Sequence, residues 1–379
     1  MNDVRYYRDL LVDGARIEAF RRAIRAVVRE GDLVLEIGAG LGTYSFFAAA
    51  AGAGRVWAVD GDPVIHIAST IAAANGFDER IEFVRGWIPD IGIPEPADVI
   101  IFEDFPTNLL DATTLRLLRC LHQDYAADGV RVVPQRARIF VAPVRAVNAS
   151  RKAMSFAPLA DEQKFGIDWR ESRVYAANTP CSVQLKAKSL AAPPAPIGDL
   201  WLDRPPDPTV LDGEASWRFD NDEVLYGLAW WFDLEVAAGE WVSNRPGKRT
   251  VWGQLLLPLD PPLRVKAGDP VSATIGRERD GDGAPAWFSW RVTTAGIVIR
   301  GHEFASVPAS LGDFVSANPQ FVPVLTKEAN RERLILQLCA GEMSVGEIAE
   351  KLRQEDSRLS ESRALRHVIR TLKGRIHDG

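Results

Sequence analysis

The sequence predicts an α/β domain with a parallel sheet, then an antiparallel β domain, then a small helical domain. Strand-like apolar runs alternate with helical patterns over residues 16–146. Short alternating runs separated by turn residues follow, which is typical of antiparallel β structure. The last residues return to apolar side chains at helical spacing. We therefore predict domains at 1–146, 147–320 and 321–379.

The composition limits the classes of protein that fit. A chain of 379 residues with 46% hydrophobic content can bury more than one core. A net charge of −6 gives no electrostatic footprint for nucleic acid or a membrane surface. The N-terminus lacks an apolar signal core and no apolar run is long enough to span a bilayer, so we expect a cytoplasmic location. The cysteines lack zinc-site spacing, so we expect reduced thiols and no metal; they are Cys120, Cys181 and Cys339.

The glycine-rich loop after the first strand is the most informative element of the α/β domain. Strand Leu33–Ile37 runs into Gly38, Gly40 and Gly42, and the next apolar run ends at Asp60. Alternate glycines let a ligand lie against bare backbone, and an acid at the end of the second strand can bind both ribose hydroxyls. The Gly-x-Gly-x-Gly spacing differs from the Gly-x-Gly-x-x-Gly of dinucleotide sites. We therefore expect S-adenosylmethionine rather than NAD or ATP.

The remaining α/β elements place other candidate residues at the same edge. The apolar run Asp98–Phe102 predicts a strand that is covered on both faces. Ligands of such sheets lie beyond the carboxyl ends of the strands, where Gly38–Gly42, Asp60, Gly86–Ile88 and Glu103 fall. The other predicted elements are helices at Ile17–Val28, Tyr44–Ala51 and Val64–Asn75 and a strand at Ile81–Val84.

The later segments complete the predicted architecture. The β runs are Trp217–Phe219, Leu225–Val236, Trp252–Leu257, Val271–Ile275, Phe288–Val292 and Ile297–Arg300. Three helices follow, with Ser344 and Glu347 forming a capping box at the second and Ser360 capping the third.

Several motifs in this order resemble the protein arginine methyltransferases over residues 10–276. After the glycine loop come Asp98–Glu103, then Gly227-Leu-Ala-Trp-Trp-Phe-Asp233 and Thr250-Val-Trp-Gly-Gln254. The resemblance implies a Rossmann-like methyltransferase domain fused to a β-barrel, with a peptide or protein substrate bound between them. It also implies S-adenosylmethionine as methyl donor, S-adenosylhomocysteine as product, and a homodimer formed through an arm near residues 147–180.

The resemblance assigns cofactor-binding roles to individual residues. Arg16 matches the arginine that clamps the methionyl carboxylate, a task that suits a guanidinium. Asp60 matches the ribose acid, and Trp87 with Ile88 matches the segment beside adenine. The full predicted cofactor set is Arg16, Glu36, Gly38, Gly40, Gly42, Asp60, Gly86, Trp87, Ile88 and Glu103.

Glu103 is the main catalytic candidate. It matches the first acid of the family's double-glutamate loop, which grips the substrate guanidinium. A carboxylate that ends a buried strand is unfavourable unless it faces a site and a cation. The family's second glutamate is replaced by Ala112, which leaves Asp111 and Asp104 as candidates for a second acid.

The β domain also departs from the family pattern. Thr250 and Trp252 are predicted to bind substrate together with Glu103. Val251 stands where the family usually has a histidine that pairs with an acid in the N-terminal region. The N-terminal aromatic helix of the family is reduced to Tyr6-Tyr7.

The C-terminal helices are additional to the catalytic pattern. Residues 330–352 resemble PqqD-like, winged-helix peptide-recognition domains, which bind leader segments of ribosomal precursor peptides; the same pattern also suits helix-turn-helix domains. The last helix is basic, with Arg363, Arg366, Arg370, Lys373 and Arg375.

Three functional hypotheses follow from the sequence. The first is arginine N-methylation of a peptide or protein, including a leader-bearing precursor. The second keeps the fold and cofactor but transfers the methyl group to another nucleophile, since the second glutamate and the histidine are replaced. The third is a cofactor-binding regulatory pseudoenzyme whose terminal helices bind DNA.

Overall fold

The computed structural model describes residues 4–145, 148, 164–248, 250–279, 283–306, 324–339, 343–355 and 359–373. The chain divides into two compact units, residues 1–308 and 309–379, and each is described by itself. The α/β and β regions belong to the first unit, and the C-terminal helices belong to the second. The domain boundaries at residues 146 and 320 stay predictions.

The first part of unit 1 is a parallel sheet. Its strands run in the order β3-β2-β1-β4-β5, and all neighbouring pairs are parallel. The chain builds outward from β1 to β3 and then returns to place β4 on the other side of β1, so the switch point lies between β1 and β4. The strands are β1 Leu33–Ile37, β2 Arg55–Asp60, β3 Ile81–Arg85, β4 Ala97–Phe102 and β5 Ala126–Val133.

Helices cover this sheet, and local side chains define where they begin. The Asp13 carboxylate accepts a hydrogen bond from the Arg16 amide and caps α2. Asp111 caps α5 in the same way through the Thr114 amide at 2.8 Å. The helices are α1 Val4–Leu11, α2 Gly14–Val27, α3 Thr43–Ala50, α4 Ile65–Asn75 and α5 Ala112–Cys120.

The core of this part lies between α2 and the central strands. Phe20 and Ile24 of α2 are fully buried, as are Val34 of β1 and Val99 and Ile101 of β4. These strands read as nearly continuous apolar runs because helices and loops cover both of their faces. The predicted positions of the α/β helices and strands are confirmed to within a few residues.

The second part of unit 1 consists of antiparallel strands in two sheets. One has the order β7-β12-β10-β6-β8, with β11 on β10, and the other has the order β15-β14-β13-β9. The first strand of this part, β6, follows β5 directly, so the sheet changes before residue 146. The strands are β6 Arg136–Val144, β7 Cys181–Val183, β8 Ala195–Trp201, β9 Gly213–Arg218, β10 Glu223–Ala237, β11 Glu240–Ser243, β12 Gln254–Val265, β13 Pro270–Arg279, β14 Pro285–Thr294 and β15 Ile297–His302. A short helix α6, Ser172–Ala177, precedes β7.

Aromatic side chains join the two antiparallel sheets. Trp230 of β10 meets Phe288 of β14 edge to face, with ring centroids 5.8 Å apart. The Trp290 indole of β14 donates a hydrogen bond of 2.7 Å to the Pro258 carbonyl of β12. Contacts of this kind close the two sheets around one core, as the predicted β-barrel requires.

A buried amide network fixes the loop that carries Thr250 and Trp252. The Asn244 side chain accepts a hydrogen bond from the Phe232 amide at 2.9 Å and donates one to the Gly253 carbonyl at 2.6 Å. The Gln254 side chain donates to the Asn244 carbonyl and accepts from the Leu185 amide. Both side chains are fully buried and satisfied, so the loop is held at both of its ends.

Unit 2 contains a bundle of helices over the described residues. Its core includes Ile335, Ile348 and Leu352, and the helices are α7 Lys327–Leu338, α8 Val345–Glu355 and α9 Glu361–Leu372. The predicted capping box is present, because the Ser344 amide and hydroxyl both donate to Glu347. The predicted cap position of Ser360 is confirmed. Ser360 stands at the N-cap of α9, but its hydroxyl lies beside the Ser362 hydroxyl instead of accepting from the helix.

No described helix is both long enough and apolar enough to cross a bilayer.

The Asn244 network predicts a large effect of truncation at this residue. Asn244→Ala leaves the buried Phe232 amide and Gly253 carbonyl without partners, so we expect the free energy of unfolding to fall by about 2–4 kcal/mol. Urea denaturation measures this difference. The control is Asn75→Ala, because Asn75 is exposed and bonds only within its own helix. Equal stability of the two variants would contradict the role of the network.

Candidate active site

The candidate site lies at the carboxyl ends of β1 and β4, at the switch point of the parallel sheet. Ile37 pairs with Phe102, so the residues that follow, Gly38 and Glu103, leave the sheet side by side. Asp60 ends β2 at the same edge. The topology therefore brings the glycine loop and the predicted acids into one crevice, where α/β sheets bind their ligands.

The glycine loop needs its glycines because neighbouring side chains fill the space that a Cβ would occupy. Gly38, Gly40 and Gly42 have φ angles of +73°, +53° and +78°. A Cβ on Gly40 would lie 3.1 Å from the Tyr7 ring. The Asp60 carboxylate accepts a 2.7 Å hydrogen bond from the Gly40 amide, which ties the loop to the end of β2.

The predicted adenine side is formed by residues that follow β2 and β3. Trp87 is 67% exposed, and its indole lies over Gly61, where a Cβ would be 2.2 Å from the ring. Ile88 packs against the core from a partly buried position. Trp87 is therefore an exposed aromatic side chain that packs one face of its ring on Gly61. The other face could stack on a planar ligand.

Arg16 is the central cation of the site. It is only 2% exposed, and its Nη1 lies 2.6 Å from Glu103 Oε1. The same guanidinium donates to the Tyr44 hydroxyl at 2.9 Å and to the Leu10 carbonyl at 2.7 Å. Burial acts to lower the pKa of Arg16, but Glu103, Tyr44 and Asp13 together raise it above its ordinary value. Arg16 is therefore a fixed positive charge.

Glu103 lies where burial and a cation act in opposite directions. Burial raises the pKa of Glu103 to about 7, although Arg16 acts to lower it. Asp104 and Asp13 add smaller contributions that also raise the pKa. The Glu103 carboxylate therefore changes its charge near neutral pH and responds to any cation that binds beside it.

Glu36 is a second buried acid in the crevice. It lies in β1 and accepts a short hydrogen bond from the Ser45 hydroxyl of α3. Burial raises the pKa of Glu36 to about 8, against the effect of Ser45. Asp60 and Glu103 contribute further by their negative charge. At neutral pH Glu36 is therefore mainly protonated.

The two candidates for a second acid have different surroundings. The Asp104 side chain lies against Gly38: a Cβ on this glycine would be 2.9 Å from Asp104 Cβ. The Asp111 carboxylate is turned to the start of α5, which it caps. The structure therefore brings Asp104 to the glycine loop and gives Asp111 a structural partner.

The N-terminal helix α1 borders the same crevice. Tyr7 is buried with its ring against Gly40. Tyr6 lies close enough to the acids that Asp104 and Glu103, together with burial, raise the pKa of its phenol. The short Tyr6-Tyr7 segment thus lies beside the glycine loop, as a reduced form of the helix that the family resemblance implies.

The β domain contributes the loop of residues 250–252. Trp252 is buried, and the Arg16 guanidinium lies 5.7 Å from the centre of its ring. The Val251 amide donates to the Asp13 carboxylate at 3.2 Å. The family resemblance implies an acid paired with a histidine at this point. In this chain Asp13, the N-cap of α2, is joined to the 250–252 loop through the backbone amide of Val251.

Several residues of the site were not found by sequence reasoning. Asp13 binds both Arg16 and the 250–252 loop, Tyr44 orients Arg16, and Ser45 binds Glu36. The acid three residues before Arg16 is a helix-cap signal that could have identified Asp13. Tyr44 and Ser45 follow the glycine loop, but nothing in their spacing indicates which side chain they contact.

The residues present fit a nucleoside carrying an amino-acid group. The glycine loop at the carboxyl end of β1, with Asp60 at the end of β2, lies where such sheets bind a nucleoside, and Trp87 provides an aromatic face. The buried Arg16 guanidinium supplies a positive charge for a carboxylate, and its Nε lies 3.6 Å from Asp13 Oδ2. No group of side chains suited to a metal ion occurs among the described residues.

The strand order and the glycine loop define a Rossmann-like domain joined to a β-barrel. Proteins similar to this chain are protein arginine methyltransferases. Protein arginine N-methyltransferase 6 of Xenopus laevis is 27% identical over 289 residues, which cover 72% of this chain and 84% of the relative. Protein arginine N-methyltransferase 1 of Dictyostelium discoideum is 23% identical over 71% of this chain and 80% of its own length.

Other relatives are longer than this chain. A probable histone-arginine methyltransferase of Arabidopsis thaliana is 27% identical, and the match spans about half of it, 54% of its length. Among solved structures, a Trypanosoma brucei PRMT1 enzyme-prozyme heterotetrameric complex with AdoHcy has a TM-score of 0.68 and 22% identity. The match to the Trypanosoma brucei structure covers 78% of this chain and 97% of the solved chain.

The solved structure of protein arginine methyltransferase 10 from Arabidopsis thaliana has a TM-score of 0.65 and 21% identity. The match covers 79% of this chain and 98% of the solved chain. No family model matches the chain. The comparisons confirm the predicted resemblance and fold class. The predicted enzyme class, an S-adenosylmethionine-dependent protein arginine N-methyltransferase, is the class of these relatives.

The raised pKa of Glu36 predicts a pH-dependent stability of the ligand-free protein. Between pH 4.5 and about 8 the folded protein holds a proton that the unfolded chain has lost, so the free energy of unfolding falls as the pH rises. Glu103 contributes in the same direction up to about pH 7. The slope from one such group approaches about 1.4 kcal/mol per pH unit.

We expect Glu36→Gln to reduce this slope and to unfold at higher urea concentration than wild type at pH 8.5. Urea titrations at pH 5, 6.5 and 8.5 measure the effect. Glu95→Gln changes an exposed glutamate and should keep the wild-type slope. A slope unchanged by Glu36→Gln would show that Glu36 is ionised when folded.

Proposed function

We propose that this chain transfers a methyl group from S-adenosylmethionine to arginine side chains of a peptide or protein. One observation carries the proposal. Glu103 stands at the switch point between the glycine loop and the β domain, and Arg16 holds it from one side. The arrangement leaves the other face of a partly exposed carboxylate for a substrate guanidinium, which pairs with a carboxylate through two hydrogen bonds.

The cofactor would be held by residues that the crevice already brings together. Arg16 would bind its carboxylate, Asp60 its ribose, and Trp87 its adenine. The comparison with solved structures supports this assignment, since one similar protein is a complex with AdoHcy. Glu36, Gly86 and Ile88 lie along the same edge and complete the proposed set.

The chemistry asks the protein mainly for positioning and charge. S-adenosylmethionine supplies a methyl group on a positively charged sulfur, which the acceptor nitrogen displaces while the bonding electron pair stays on sulfur. Glu103 would orient the guanidinium and concentrate its positive charge on one nitrogen, so that the other is the better nucleophile. The nitrogen then loses a proton to solvent, because the alkylated group is otherwise doubly charged. Thr250 and Trp252 would border the acceptor.

A different nucleophile is the second candidate acceptor. The Asp111 carboxylate caps α5, and position 112 is alanine, so the second acid of the family loop has no direct counterpart at its own position. A guanidinium would then have one acid, Glu103, to bind it in place of two. An amine or an amide in the acceptor position is therefore the alternative. A regulatory role without catalysis has less support, because the crevice retains the ion pair of Glu103 with Arg16.

For the C-terminal unit we propose the binding of a leader segment of a ribosomal precursor peptide. Helix α9 carries exposed apolar residues on its surface, including Leu365 and Ile369, with Arg363 and Arg366 beside them. An apolar stripe flanked by arginines suits an amphipathic peptide with acidic residues. Arg375 of the predicted basic set lies outside the described residues.

A homodimer and a cytoplasmic location complete the proposal. The end of the predicted dimerisation arm is apolar and exposed, with Phe165 at 83% and Ile167 at 48% exposure. Residues 149–163 of this arm lie outside the described residues. The similar Trypanosoma brucei PRMT1 protein forms a heterotetrameric complex, which supports the formation of an oligomer by this chain.

Removal of the Glu103 charge tests the proposed reaction. Glu103→Gln keeps the shape of the side chain but loses the carboxylate, so we expect methyl transfer to fall by about 10²-fold or more. S-adenosylmethionine should bind within about tenfold of wild type, because Arg16 and Asp60 remain. Labelled cofactor, arginine-containing peptides and fragment mass spectrometry locate the methyl group.

The control is Glu95→Gln, which changes an exposed glutamate at the opposite end of the sheet. It should retain wild-type activity. Methylarginine formed by wild type and lost in Glu103→Gln would support the proposal. Methyl groups on another side chain would favour the second acceptor, and full activity of Glu103→Gln would refute the role of Glu103.

Leader binding is tested on the full chain with Ile369→Asp. Ile369 is 54% exposed, so the charge should leave the fold intact and weaken the binding of an apolar leader. We expect KM for a leader-bearing precursor to rise about tenfold and KM for a leaderless arginine peptide to stay unchanged. Lys351→Ser on α8 is the matched surface control. Equal effects on both substrates would contradict leader binding.

A further inference from the structure

We infer that Asp104 faces the positively charged sulfur of the methyl donor and lets the site select this donor over its uncharged thioether product. The inference rests on the proposed function and changes one predicted role. The sequence placed Asp104 among candidates for a second catalytic acid, which would hold the acceptor. The contacts of its side chain favour the cofactor side of the crevice instead.

The position of Asp104 follows from the register of β1 and β4. Because Gly38 and Glu103 leave the sheet side by side, the next residue along the chain folds over the bare backbone of the glycine loop. A Cβ on Gly38 would lie 2.9 Å from Asp104 Cβ and 3.5 Å from Oδ2. The carboxylate therefore lies over the start of the loop on which the cofactor would rest.

The neighbouring acids already have partners, and Asp104 does not. Glu103 pairs with Arg16, and Asp111 caps α5. Asp60 accepts from two backbone amides. Over the described residues, the Asp104 carboxylate has neither an ion pair nor a hydrogen bond.

Electrostatics indicate the kind of ligand that this acid lacks. Asp104 is exposed, but partial desolvation by its neighbours, together with the negative charges of Asp60 and Asp111, raises the pKa of its carboxyl group. A cation bound beside the carboxylate would relieve this repulsion. S-adenosylmethionine and its product share the nucleoside, the ammonium and the carboxylate, but only the donor has a charged sulfur. A difference in their affinities therefore reports on the charge at sulfur.

The charge change during the reaction gives Asp104 a definite role. When the carbon–sulfur bond breaks, its electron pair neutralises the sulfur, and the positive charge moves to the acceptor nitrogen. An acid beside the sulfur thus stabilises the bound donor more than the product. It favours exchange of product for donor, and it does not accelerate transfer, since the charge at sulfur decreases in the transition state.

Calorimetric binding of the two ligands tests the inference on the full-length protein. We expect wild type to prefer S-adenosylmethionine over S-adenosylhomocysteine, and Asp104→Asn to lose roughly tenfold of this preference because one nearby charge is removed. The conservative variant Asp104→Glu should restore most of it. In turnover, Asp104→Asn should raise KM for the donor without lowering kcat.

Asp111→Asn is the matched control for binding. It removes the same charge from the same loop, and asparagine caps a helix as well as aspartate does. Its donor-to-product preference should equal that of wild type. An equal loss of affinity for both ligands in Asp104→Asn, or an unchanged preference with reduced kcat, would overturn the inference. A wild-type protein that binds neither ligand would refute the proposed function itself.

Discussion

The buried guanidinium of Arg16 is the interaction on which the site depends. It is held by the Glu103 carboxylate, the Tyr44 hydroxyl and the Leu10 carbonyl, and it lies beside the Trp252 ring. These partners come from β4, α3, the end of α1 and the β domain, so one side chain joins four elements. A buried cation is stable only with such a set of partners, and loss of one partner leaves uncompensated charge.

The crevice holds more acid than base, and this imbalance explains its ionisation. Burial raises the pKa values of Glu36 and Glu103, and the negative charges of their neighbours act in the same direction. Both carboxyl groups therefore hold their protons to a higher pH than ordinary glutamates. The proposed ligands, a sulfonium and a guanidinium, are both cationic, so their binding and the loss of these protons favour each other. A single mutation here therefore alters ligand binding and stability together.

Much of the fold could be predicted because strong local patterns agree with it. Asp98–Phe102 is uniformly apolar and becomes β4, and the glycine loop with Asp60 marks the edge that carries the site. Contacts between distant residues could not be predicted in this way. The pairing of Arg16 with Tyr44, and the position of Asp104 over Gly38, depend on three-dimensional packing that spacing does not encode. Ser360 shows the same limit: its position at a helix start was predictable, but its hydrogen bond was not.

The two departures from the family pattern have different consequences. Replacement of the histidine by Val251 still leaves Asp13 with partners, because the backbone amide of Val251 and the Arg16 side chain both bind it. The link between α2 and the β domain is therefore retained without an imidazole. Replacement of the second glutamate by Ala112 is not compensated in this way, since Asp111 is committed to α5 and Asp104 lies against the glycine loop. In the proposed reaction the acceptor would depend on one carboxylate, Glu103, on which burial and Arg16 act in opposite directions. One carboxylate fixes the orientation of a guanidinium less firmly than two carboxylates do. The Trp252 ring and the backbone of residues 250–252 would therefore have to contribute more to positioning the acceptor.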